Sequence, residues 1–95
     1  MSINKEIFSE HLKNKDYTYC VSEMRQEITD ILVKRMQEKQ PDYKYINTQA
    51  LKIDCFRHLS DIEQDVSIEL HDLEIVENAD YYELSRLLEL YKDLI

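Results

Sequence analysis

The sequence predicts an all-α protein, a small antiparallel helical bundle of about four helices, two long and two short. Three observations carry this. Glycine is absent and proline occurs once, at Pro41, so tight hairpin turns that need positive φ have no residues to build them. Apolar residues recur at intervals of three and four along most of the chain. The runs are punctuated by Asn and Asp, residues that cap helices. Residues 1–95 are expected to form one all-helical domain, because Ile, Leu, Val, Met and Tyr suffice for a core despite 34% charged residues.

Taken in order, Asn4 caps a short first helix on which Ile7, Phe8 and Leu12 fall at helical spacing. Asn14-Lys15-Asp16 breaks it, and Asp16 caps the next. The second helix runs from Tyr17 to Lys39 with the stripe Tyr17, Cys20, Met24, Ile28, Ile31, Leu32 and Met36. Pro41 ends it by pushing Gln40 out of the helical region. Asp42-Tyr43-Lys44-Tyr45-Ile46 is the inter-helix loop. Asn47 or Thr48 then caps the third and longest helix, with the stripe Leu51, Cys55, Leu59, Ile62, Val66, Leu70, Leu73 and Val76. At about thirty residues it is long for a globular domain, and Val66–Ser67 is where a break is expected. Asn78-Ala79-Asp80 marks its end, and Asp80 caps a last helix with Leu84, Leu87, Leu88, Tyr91 and Leu94 inward. The stripe of residues 51–76 is expected to pack on Met24, Ile28, Ile31 and Leu32.

The charge is unevenly spread. Residues 1–50 hold eight basic and eight acidic side chains, net zero; residues 51–95 hold four basic and twelve acidic, net −8, the charge of the whole chain. Between His58 and Ser85 there are nine carboxylates and no Lys or Arg. On a continuous helix Asp54, Asp61, Asp65, Glu69 and Asp72 fall within about 80° of one another, beside the apolar arc. Two readings stand: a solvated helix face, or a docking strip for a basic protein that otherwise grips phosphates. Such a field repels nucleic acid and an anionic membrane surface. A divalent metal needs oxygens converging from two helices, and one helix cannot supply them, so no metal is expected. Tyrosines lie in three pairs, Tyr17/Tyr19, Tyr43/Tyr45 and Tyr81/Tyr82. Tyr43 and Tyr45 join the candidate partner-binding residues, since tyrosine is enriched at interface hot spots.

Catalytic apparatus is not expected. Cys55-x-x-His58 has metal-ligand spacing, but a zinc site needs two further ligands, and no spacing recruits Cys20, His11 or His71. Without glycine there is no P-loop, no dinucleotide fingerprint and no Gly-bearing turn for an oxyanion hole. No cofactor follows. Cys20 and Cys55 lie at core-like positions and read as two buried free thiols of a reducing cytosol. The opening residues lack the basic and apolar regions of a signal peptide, and no apolar run spans a membrane, so a cytoplasmic protein is expected.

Leu12-Lys13-Asn14-Lys15-Asp16-Tyr17, running into Cys20, Ser22-Glu23, Arg25 and Glu27-Ile28, resembles the opening helix pair of HEPN-type helical domains. There a Leu-Lys-x-x-Asp-Tyr turn precedes such a helix, and the family's last helix corresponds to Tyr81–Leu94. The resemblance implies a helical bundle. In HEPN ribonucleases an Arg-x(4–6)-His motif steadies phosphate and moves protons. Here His71 is present, but Gln64, Asp65 and Val66 stand where the Arg belongs, which implies a degenerate, binding-only member.

Three functions remain open on the sequence. The first is a small acidic, non-catalytic binding module that inhibits a basic, nucleic-acid-handling protein. Its setting is that of phage or mobile-element anti-restriction and anti-CRISPR inhibitors, or of antitoxins and immunity proteins. The second is a HEPN-like ribonuclease or toxin–antitoxin component. The third is a structural homo-oligomer subunit, such as a homodimer, that buries an apolar surface by self-association.

Overall fold

Five helices, and no strand, make up the described residues, 3–73 and 79–95, of the computed structural model. They are α1 (Lys5–Lys13), α2 (Tyr17–Lys39), α3 (Thr48–His58), α4 (Asp61–Asp72) and α5 (Tyr81–Leu94). Four of the five N-caps are those the sequence marks. The Asn4 carboxamide accepts from the Glu6 and Ile7 N–H groups at 3.1 and 3.2 Å. Asp16 accepts from Tyr19 N–H, Asn47 from Ala50 N–H and Asp80 from Glu83 N–H. Between α1 and α2, Lys15 takes φ 58, the left-handed region that glycine fills at least cost, in a chain that has no glycine. Gln40, extended at φ −134 before Pro41, closes α2.

The third helix of the sequence reading is two helices. Leu59 and Ser60 are both extended, at ψ 175 and 169, and the chain reverses there. The cause is local. Ser60 and Glu63 form a capping box in which Glu63 Oε1 accepts from Ser60 N–H at 3.0 Å and from the Ser60 hydroxyl at 2.7 Å. Val66 and Ser67, where the break was expected, lie buried in the middle of α4. The reversal lays α4 back along α3, so that Thr48 at the start of α3 meets His71 at the end of α4, Oγ1 to Nδ1 3.1 Å. The expected four helices are therefore five. The expected end at Asn78, and Val76 of the stripe, lie outside the described residues.

The core draws on α2 to α5: Cys20, Val21, Met24, Ile28, Leu32 and Met36 pack with Leu51, Cys55, Val66, Leu70, Leu84, Leu87, Leu90 and Leu94. Phe8, Ile31, Leu59, Leu73, Leu88 and Tyr91 pack half-buried against it. Ile62, assigned to the buried stripe, is instead 55% exposed, because it sits in the first turn of α4, just past the reversal. Leu90, absent from the predicted face of α5, is buried.

Two arginines of α2 fasten the later helices. Arg25 Nη1 donates to the carbonyls of Leu70 at 2.8 Å and Leu73 at 2.7 Å, neutralising the C-terminal end of α4. Arg35 donates to Glu63 at 2.9 Å and to the Leu94 carbonyl at 2.5 Å, tying α2 to the start of α4 and the end of α5. Burial pushes the Glu63 carboxyl up, but its bonds to Ser60 and the Arg35 charge outweigh this and hold it below the usual carboxylate range.

Candidate docking face on the α3–α4 hairpin

The inner side of α3 buries Thr48, Leu51 and Cys55. Ile53 and Phe56, three residues apart, fall on its other side and stay 42% and 69% exposed. On α4, Val66, Ser67 and Leu70 face inward, and Ile68 is left 40% exposed. The hairpin brings these outward apolar residues together. Lys52, Ile53, Phe56, Arg57, Gln64 and Ile68 line an open groove of about 560 Å³ between the two helices. Ile53, Phe56 and Ile68 share this groove with the polar side chains of Lys52, Arg57 and Gln64.

Beside the groove runs the acidic ridge, altered from its expected form. Asp61, Asp65 and Asp72 stand exposed on the outer side of α4. Glu69 does not stand free with them: its carboxylate binds Arg86 of α5, which also holds Glu89 at 2.6 Å. These two carboxylates raise the Arg86 pKa further. Asp54 is not continuous with the ridge, because the reversal at Leu59–Ser60 separates the helices. It lies half-buried on α3 near Tyr43. Burial, then the Asp54 charge and a hydrogen bond with Asp54, push the Tyr43 phenol up to about 12. Tyr45 is exposed, next to the still more exposed Ile46. The five carboxylates and two tyrosines thus form no single strip; Asp61, Asp65 and Asp72 form one edge.

The other singled-out residues occupy structural positions. Cys20 and Cys55 are buried and free, and burial pushes the Cys55 thiol up to about 11. His58 points to Gln40, Nε2 to Nε2 3.1 Å, while Cys55 faces the core, so the pair does not converge. His11 stacks on Tyr19 with ring centroids 3.8 Å apart and bonds Asp16 at 2.9 Å, which holds the Asp16 carboxyl below its usual range. Among the described residues, no group of three His, Cys, Asp or Glu is placed to hold a metal ion, and no helix is long and apolar enough to cross a membrane.

The groove residues were missed by sequence reasoning that followed only the buried stripe. The signal was present: Ile53, Phe56 and Ile68 are large apolar residues that lie off the stripe. No family model, curated protein or solved structure matches this chain.

Proposed function

We propose that this chain is a non-catalytic, acidic binding module that docks on and inhibits a basic, nucleic-acid-handling protein through the outer face of the α3–α4 hairpin. One observation carries the reading. The exposed carboxylates Asp61, Asp65 and Asp72 share α4 with Ile68, which with Ile53 and Phe56 lines a groove open to water. A solvated helix face needs the charges but not the apolar groove. A docking face needs both, an apolar centre and a charged rim. The field of a chain at net −8 steers a basic protein toward it and turns phosphates away. Inhibitors of the anti-restriction or anti-CRISPR kind, antitoxins and immunity proteins are the settings this chemistry fits.

The test is affinity capture from the native host with the wild-type chain and with an Asp61→Lys/Asp65→Lys variant, read by mass spectrometry. Glu69 is left intact because its reversal would also break the Arg86 pair. The expected result is a basic, nucleic-acid-handling protein held by the wild type and lost by the variant. A neutral or acidic partner, or equal capture by both, contradicts the proposal.

A further inference from the structure

The rim of the α3–α4 groove carries both signs of charge. Lys52 and Arg57 of α3 line the groove itself, and Asp65, exposed on α4 with Asp61 and Asp72, shares the wall residue Ile68 with it from the α5 side. Across the hairpin the register set by Thr48 against His71 puts Lys52 level with Ser67 and Arg57 level with Ile62. A two-fold axis along the hairpin, over the groove, would lay α3 of one copy over α4 of the other. By that register Arg57 would lie over Ile62, between Asp61 and Asp65, Lys52 over Ser67, between Asp65 and Asp72, and Ile53 over Val66, two residues from Ile68. Each contact occurs twice, as an isologous interface requires. Lys52, Arg57, Asp61, Asp65 and Asp72 appear in no ion pair among the described residues.

We infer that in the absence of another partner this face closes on a second copy of the same chain, as a two-fold homodimer centred on Ile53, Phe56 and Ile68. Charge complementarity chooses this occupant. A second copy satisfies the cations of α3 as well as the carboxylates of α4. Two chains at net −8 repel at long range, but the Debye length of about 8 Å at physiological salt screens that repulsion, while close pairs beside a dehydrated groove are screened less. The inference rests on the groove and its two-signed rim, and stands whether or not the inhibitor reading holds. Where both hold, the basic protein displaces the second copy, because Asp61 and Asp65 serve each.

The experiment is sedimentation equilibrium of the purified chain at physiological salt, over micromolar to millimolar concentration, with two charge-reversal variants. Lys52→Glu/Arg57→Glu makes the face wholly acidic; Asp61→Lys/Asp65→Lys makes it wholly basic. Arg57, Asp61 and Asp65 are exposed and Lys52 half-buried, and thermal melting of each variant confirms its fold. The wild type is expected to dimerise reversibly. Each variant alone is expected to weaken dimerisation about tenfold or more, since attraction becomes repulsion at every symmetric pair. The two variants mixed one to one are expected to form a heterodimer. Phe56→Ser, which leaves the charges intact, is expected to weaken self-association as well. A wild type monomeric at millimolar concentration, variants that dimerise undiminished, or a mixture that stays monomeric each overturns the inference.

Discussion

Replacing Glu63 by alanine isolates the device that turns one helix into two. Glu63 Oε1 accepts from Ser60 N–H and the Ser60 hydroxyl, and Oε2 accepts from Arg35. Loss of a helix N-cap interaction costs about 1 kcal/mol. The Arg35 pair, with side chains 32% and 13% exposed, adds up to about 1 kcal/mol, because only part of it is screened by water. The expected loss is about 1–2 kcal/mol, a fall in Tm of roughly 4–16 °C for a chain of this size. Glu63→Gln, which keeps an acceptor for Ser60 but not the charge, is expected to lose less. The pH dependence follows from a carboxyl held below its ordinary value. Its stabilisation is present above the ordinary carboxylate pKa, about 4.3, and is lost as pH falls through the lower folded value. Wild type and Glu63→Gln should therefore differ at neutral pH and converge in acid. Thermal melts followed by circular dichroism between pH 3 and 7 read both effects. A Glu63→Ala variant that melts with the wild type, or higher with added helix, would refute the capping account.

Leu70→Ala, fully buried, should cost about 2–5 kcal/mol in urea unfolding, whereas Ile62→Ala should stay within about 0.5 kcal/mol. Equal losses would mean that α4 packs on a different face. Arg25→Met should cost about 1.5–3 kcal/mol by freeing the carbonyls of Leu70 and Leu73, measured the same way; an unchanged midpoint would remove Arg25 from the account of α4. Lys15→Gly should raise stability by about 0.5–1 kcal/mol, since φ 58 costs lysine more than glycine; a loss of stability would mean that the lysine side chain holds the turn.

Much of the fold was legible because the chain states its local preferences plainly. Asn4, Asp16 and Asp80 cap helices as their positions indicate, and Pro41 stops α2. The longest helix was misread for a physical reason. Its apolar spacing continues in phase through Leu59 and Ile62, so periodicity could not show the reversal. The Ser60-x-x-Glu63 capping box could, being a start signal in the middle of an apparently continuous helix. That one error propagated to the site. A straight helix aligns Asp54 with Asp61 and Asp72 and scatters Ile53, Phe56 and Ile68 along its length. The hairpin does the reverse: it takes Asp54 away and brings the three apolar residues to one groove. The pairing of Glu69 with Arg86, seventeen residues on, is a tertiary fact with no local signature.

On the proposed reading the carboxylate edge of α4 guides a basic partner onto the hairpin. The association rate of the captured partner, measured by stopped flow at low and physiological salt with wild type and Asp61→Lys/Asp65→Lys, tests it most directly. The account predicts a fast wild-type rate that falls steeply with salt, and a slower variant rate that salt barely changes. Equal rates with equal salt dependence would contradict it and leave Asp61, Asp65 and Asp72 as the solvated side of a helix.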